Sequence, residues 1–333
     1  MEKICFLFPG QGSQKKEMGV DLAQNFSECK KVFECASDIF SFDLLNFCKN
    51  ASIEELKKTE YCQPLIVATN IAAFKTIEKI IKPDFLVGHS LGQYCSLYVS
   101  NILSLEDTFK ILKIRIESIK KFFKRKSIMA AIIGVPPEKI EKEFEKVDGY
   151  VVCANYNSPL QTVISGEEKA VLKVTKNLEN IAKRCIILNV SSAFHCNLMK
   201  DSAIYFEKHI ENFVFNTPTI PVYSNVTASI IENKDEIKKL LIKHFTHPVL
   251  FTKTLQNLEQ KGALVFIELG EGTTLCSLVK KTLTNTITLN IKDNNTFLKT
   301  TLLLRRKFDG IFSHSLAKKF NLILRPAKSF FNT

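Results

Sequence analysis

Asp84-Phe85-Leu86-Val87-Gly88-His89-Ser90-Leu91-Gly92 is the stretch on which the architecture turns. Asp84 to Val87 reads as a short apolar strand, and the residues after Gly92 are compatible with a helix through Val99. Between them stands G-x-S-x-G. In that pattern the serine sits on a tight strand-to-helix turn that presents its hydroxyl, and side chains at Gly88 or Gly92 would collide with neighbouring backbone. The helix beginning just after Ser90 supplies N–H groups suited to an oxyanion. The bare pattern is common by chance in Gly/Ser loops; its place after a strand and before a helix gives it weight.

Working outward, Ile4 to Phe8 reads as a buried strand stopped by the turn Pro9-Gly10-Gln11-Gly12-Ser13. Helical patterns follow to about residue 80, with Gln63-Pro64 marking a helix start. Strands alternating with helices argue for a parallel α/β sheet. Residues 128–190 have another rhythm: strand Met129–Val135, helix Glu138–Glu145, strands Val151–Tyr156 and Gln161–Ser165, helix Glu167–Asn180, strand Cys185–Val190. The order β-α-β-β-α-β is the ferredoxin-like unit. The expected organisation is an α/β domain from residues 1–126 and 191–300, an inserted α+β subdomain at 127–190, and a C-terminal tail at 301–333. A later strand, Leu264–Leu269, ends in Gly270-Glu271-Gly272.

The chain has 333 residues, 45% hydrophobic and 24% charged, ordinary values for a globular protein. No apolar run is long enough to span a bilayer or serve as a secretory core, which points to the cytoplasm. Ten scattered cysteines show no metal-ligand spacing, and neither a disulfide framework nor a zinc site is expected. The net charge of +12 is uneven: residues 301–333 carry seven basic residues against Asp309 alone, and Lys120, Lys121, Lys124, Arg125 and Lys126 form a second cluster. Such patches suit an acidic protein, an anionic surface or simply water.

A serine hydroxyl needs a base. His195, in Ser191-Ser192-Ala193-Phe194-His195, lies where the chain returns from the insertion. Taken alone it reads as an ordinary loop histidine; beside Ser90 it becomes the candidate base. His89 should point away from its neighbour at a sharp turn, and His209, His244 and His314 read as surface residues. Arg115, taken alone, is a helix residue among lysines.

Phe8-Pro9-Gly10-Gln11-Gly12-Ser13-Gln14, Gly88 to Gly92, Ile114-Arg115, Asn155 to Pro159 and Phe194-His195 recur in an order and spacing that resemble the malonyl-CoA:acyl-carrier-protein transacylase family over about residues 1–295. The resemblance implies a hydrolase-like α/β domain with a ferredoxin-like insertion. It implies Ser90 as nucleophile, His195 as general base and then acid, and an oxyanion hole from the N–H groups of Gln11 and Leu91. It further implies that Arg115 clamps the malonyl carboxylate, whose two oxygens a guanidinium matches and an ammonium does not. Phe194 resembles the form found in malonyl-selective members, and Asn155 stands as a supporting residue. Leu250, where the family often has Gln, is expected to orient His195 through its main-chain carbonyl. Gln93 and Glu271 replace a frequent Glu and Pro. The implied partners are malonyl-CoA and an acidic acyl carrier protein in fatty-acid synthesis, with no nucleic acid, no membrane, no cofactor beyond the coenzyme A thioester, and a monomeric enzyme. The alternatives are a discrete acyltransferase of a polyketide pathway, a serine thioesterase or hydrolase, and an inactive carrier-binding scaffold.

Overall fold

A computed structural model describes residues 2–122, 126–188, 190 and 193–307. Among the described residues nine strands lie in chain order: β1 Lys3–Phe8, β2 Phe85–Gly88, β3 Ser127–Ile133, β4 Val151–Ser158, β5 Gln161–Glu167, β6 Arg184–Ile187, β7 Val222–Tyr223, β8 Ala263–Leu269 and β9 Ile287–Ile291. They form two sheets, β7-β2-β1-β8-β9 and β4-β5-β3-β6. Every pairing in the first is parallel.

The central strand shows why this sheet is covered on both faces. Ile4, Phe6 and Phe8 join one apolar cluster, while Cys5 and Leu7 join another. Successive side chains point to opposite faces, so a strand apolar at every position needs a layer on each. On the first face lies the Thr59–Ile77 helix, apolar almost all round and buried along nearly its whole length. On the second, Leu255 and Leu258 of the Phe251–Gln260 helix and Leu275, Leu278 and Val279 of the Thr274–Thr282 helix complete the core. Full burial of each large apolar side chain contributes about 1.5–3 kcal/mol.

The second sheet is antiparallel throughout, and its order is that of a ferredoxin-like unit. Its helices, Pro137–Glu141 and Glu168–Leu178, pack on a separate core of Ala130, Ile132, Ile164, Val171 and Val174. It is fastened to the larger sheet's domain by main-chain bonds across one parallel bridge, Tyr156 N to Val249 O at 2.9 Å and Val249 N to Ala154 O at 2.8 Å.

Three details differ from the sequence reading. Pro64 does not start a helix but lies inside one that begins at Thr59, where it forgoes one helical hydrogen bond while its ring is buried. The strand expected at 185–190 stops at Ile187. The boundary expected at residue 300 falls within the Asn294–Lys307 helix, where Phe297, Thr301 and Leu304 are buried. Residues 308–333, with most of the basic tail, lie outside the described residues, as do Lys124 and Arg125 of the second cluster. Among the described residues no helix is long and apolar enough to cross a membrane.

Candidate active site

β2 ends at Gly88, and the chain turns through His89 and Ser90 into the Gln93–Val99 helix. Ser90 has φ 50°, a left-handed conformation that costs a non-glycine residue about 1–3 kcal/mol and persists only where surroundings enforce it. The enforcement is visible. A Cβ on Gly88 would lie 2.0 Å from the Gly92 carbonyl carbon, and one on Gly92 2.0 Å from the Phe8 oxygen. The turn therefore crosses β1 in backbone contact. A Cβ on Gly10 would lie 2.5 Å from the His89 oxygen and 3.4 Å from the Leu91 nitrogen, so the loop after β1 presses on the same turn. Gln11 and Leu91 thus border one cleft with Ser90.

A residue not singled out in the sequence braces this turn. Asn225, just after β7, accepts from Ser90 N at 2.8 Å through Oδ1 and donates from Nδ2 to Gly88 O at 2.6 Å and to Gln93 Oε1. Asn in Tyr223-Ser224-Asn225-Val226 looks like any turn residue; only the fold brings it 135 residues back to the nucleophile's amide.

Ser90 Oγ stands 2.7 Å from His195 Nε2. His195 Nδ1 stands 2.9 Å from the main-chain oxygen of His244. A carbonyl can only accept, so Nδ1 carries the hydrogen and Nε2 is left to take the serine's proton. Burial pushes the His195 pKa down to about 3, with the His244 carbonyl opposing and the Arg115 charge adding to the fall. The ring is neutral at physiological pH, as a base must be. Here the structure corrects the expectation for Leu250. Its carbonyl accepts from Thr254 N and Oγ1, both at 2.9 Å, and its N–H donates to Asn225 O at 2.9 Å. Leu250 supports the brace of the elbow rather than the base. His244, expected on the surface, is 5% exposed and provides the carbonyl. The sequence could not separate the two, because a main-chain acceptor leaves no mark on residue type. His89 turns away from Ser90 as expected, with Nε2 2.7 Å from Asn157 Oδ1.

Arg115 is 7% exposed. Its Nη1 donates to Gln63 Oε1, and the rings of Tyr94, Phe194 and Phe245 lie 5.8–5.9 Å from its guanidinium carbon. Among the described residues no carboxylate pairs with it, and burial pulls its pKa down. An uncompensated buried cation is costly, and this one borders the cleft that holds Ser90 and His195. That cleft, of about 240 Å³, runs between the two sheets. Phe194 and Asn155 also line it, with Met129, Ala131 and Val163 of the antiparallel sheet.

The sequence model of the acyl transferase domain matches residues 5–311. A malonyl CoA-acyl carrier protein transacylase of Bacillus subtilis is 37% identical over 302 residues, 89% of this chain and 95% of that protein. The chain belongs to the malonyl-CoA:acyl-carrier-protein transacylase family. The protein is therefore an acyltransferase. The solved structure of the family member from Clostridium perfringens superposes with a TM-score of 0.87 at 35% identity, covering 92% of this chain and 98% of the other. A malonyl-transacylase solved in complex with its type II polyketide synthase acyl-carrier protein gives the same TM-score, 0.87, at 29% identity, covering 90% and 99%. Within this transacylase fold, Gln63, Asn225 and His244 are the site residues that sequence reasoning missed. Gln63 offered no separate signal, being one of two buried amides, with Asn70, in the Thr59–Ile77 helix.

Proposed function

We propose that the protein transfers malonyl from malonyl-CoA to the phosphopantetheine thiol of an acyl carrier protein in fatty-acid synthesis, through a malonyl ester on Ser90. The observation that carries this reading is a serine–histidine pair and an anion-seeking Arg115 around one cleft. In the first half-reaction His195 Nε2 takes the Ser90 proton while Oγ bonds to the thioester carbonyl carbon. The N–H groups of Gln11 and Leu91 receive the oxyanion; the C–S bond then breaks, and His195 returns the proton to the coenzyme A sulfur. In the second the carrier's thiol attacks the ester, giving its proton to His195, which passes it back to Ser90.

Arg115 supplies the selectivity. A malonyl carboxylate would satisfy the guanidinium that the fold leaves unpaired; acetyl would not. The same carboxylate would cancel the positive charge that disfavours protonated His195, so the correct substrate strengthens its own base. Phe194 against Arg115 confines the acyl group. The remaining elements of the proposal are a cytoplasmic monomer with no cofactor beyond coenzyme A as leaving group. Incubation with malonyl-CoA followed by mass spectrometry tests the reading: Ser90 should gain one malonyl group and lose it to added holo-carrier. Release of free malonate as the main product would establish a hydrolase instead.

A further inference from the structure

Besides Gln11 Nε2 in the cleft itself, two buried nitrogens behind the elbow have no partner among the described residues: Nε2 of Gln93 and Nε2 of His244. Their residues are 4% and 5% exposed. Both border one small cavity between the elbow and the Lys234–Lys243 helix, otherwise lined mainly by Leu97, Ile237 and Leu241. It has room for about one water. The chemistry of the two atoms is complementary through such a molecule. An amide nitrogen only donates, His244 Nε2 accepts when the neutral ring carries its hydrogen on Nδ1, and water does both. The Ser224 hydroxyl on the same cavity offers a third partner.

We propose that one buried water bridges Gln93 to His244 and closes a polar circuit that keeps the nucleophile and its base in register. The proposal rests on the Ser90–His195 reading above. All the other links are direct bonds. Ser90 N donates to Asn225 Oδ1 at 2.8 Å, and Asn225 Nδ2 donates to Gln93 Oε1. Beyond the water, the His244 carbonyl receives His195 Nδ1–H at 2.9 Å, and His195 Nε2 meets Ser90 Oγ at 2.7 Å. The His244 ring leans on the His195 ring, with centroids 4.8 Å apart. His244 thus meets the base twice, through its ring and through the acceptor that fixes His195 Nδ1. Gln93 and His244 are positioning residues: they act through Asn225 and His195 and take no part in bond making.

A high-resolution crystal structure of the full chain should show an ordered water within hydrogen-bonding distance of both nitrogens. A dry cavity, or a His244 ring turned to another partner, overturns the proposal. In solution, His244→Leu keeps the main-chain carbonyl and removes the acceptor nitrogen. It should lower kcat about tenfold at unchanged KM for malonyl-CoA, the scale of a slight misplacement at a reacting centre. His244→Gln, whose amide oxygen can accept from the water, should restore most of the loss. Equal kcat for His244→Leu and wild type overturns the positioning role. Malonyl labelling of wild-type Ser90 in parallel separates the two ideas: its failure sinks the proposed function, whereas labelling with an indifferent His244→Leu sinks only the circuit.

Discussion

On the parallel-sheet side of the cleft Ser90 is locked by backbone on three sides, and Asn225, Gln93 and His244 brace it and its base. On the antiparallel-sheet side Met129, Ala131 and Val163 offer apolar surface, on strands whose own core lies behind them, and Asn155, Asn157 and Gln161 are the polar residues that side adds to the lining. One wall holds the reacting groups by backbone contact and hydrogen bonds; the other shapes the space the acyl group enters. Reacting groups need fixed geometry, which regular elements in mutual backbone contact supply, whereas an apolar wall tolerates change of shape. Substitutions on the two walls should therefore differ by orders of magnitude.

The largest effect is expected for Ser90→Ala. Malonyl labelling should vanish and transfer to the carrier fall by ~10⁴ or more, the usual cost of removing one member of a catalytic unit. Substantial transfer by this variant, measured with purified carrier, would break the comparison at its root. Next comes Arg115→Ala, which removes the cation rather than the chemistry. Malonyl transfer should drop about 10²–10³-fold, matching the ~3–5 kcal/mol typical of a buried charge left without its partner. Acetyl transfer should be retained or improved. Equal losses for malonyl-CoA and acetyl-CoA would make Arg115 a structural cation.

The polar wall should also be the acid-sensitive one. Burial lowers the pKa of His89, His195 and His244, to about 3 for His195. The unfolded chain thus binds more protons than the fold below about pH 6.5, where an ordinary histidine titrates. Stability is fully present above that pH and declines as pH falls toward the depressed values, by roughly 2 kcal/mol for His195 alone at pH 5. Glu268 and Glu271, held above the usual carboxylate range by burial, act in the opposite sense, so a difference between variants is the clean measurement. His89→Gln should lose less Tm than wild type between pH 7.5 and 5; parallel curves would contradict a buried neutral His89. On the apolar wall, Val163→Ala should lower kcat/KM for malonyl-CoA by about tenfold, the low end of the ~1–3 kcal/mol, or about 10–200-fold, that a missing methylene in a pocket is worth. A loss matching that of Arg115→Ala would erase the distinction between the walls.

What could be read from the sequence follows the same division. The elbow, the alternation of strands and helices, and the ferredoxin-like insertion were legible because each leaves a periodic or steric mark: glycine where a Cβ would strike backbone, apolar runs where both faces are covered. Ser90 and His195 could be named because their residue types are the chemistry, and the fold brings them to hydrogen-bonding distance. Asn225 and Gln63 were not legible, since their value lies in partners 135 and 52 residues away. His244 was read as exposed because a histidine in a Lys-rich helix end resembles a surface residue; its burial against His195 comes from packing alone.

Leu250 carries the smallest expected effect and the sharpest test of how the base is held. Its side chain is half-buried and lines an open groove with Tyr156 and Pro159, away from the cleft around Ser90. Its carbonyl is occupied by Thr254 and its N–H by Asn225, while His195 Nδ1 bonds to His244. Leu250→Gln leaves all three main-chain bonds in place, so the transfer rate should stay within about twofold of wild type, inside the scatter of neutral surface changes. A glutamine side chain could matter only by reaching His195, which would require the groove and the cleft to communicate. A rate rise approaching the roughly hundredfold effect of a positioned acid–base group would show that they do, and would move the orienting role from the His244 carbonyl back to position 250. Leu250→Pro provides the counterpart, since proline has no N–H to donate to Asn225. If the backbone at 250 steadies the elbow's brace, the proline variant should lose more activity than the glutamine variant. Equal activity of the two would leave Asn225 held by its side-chain bonds alone.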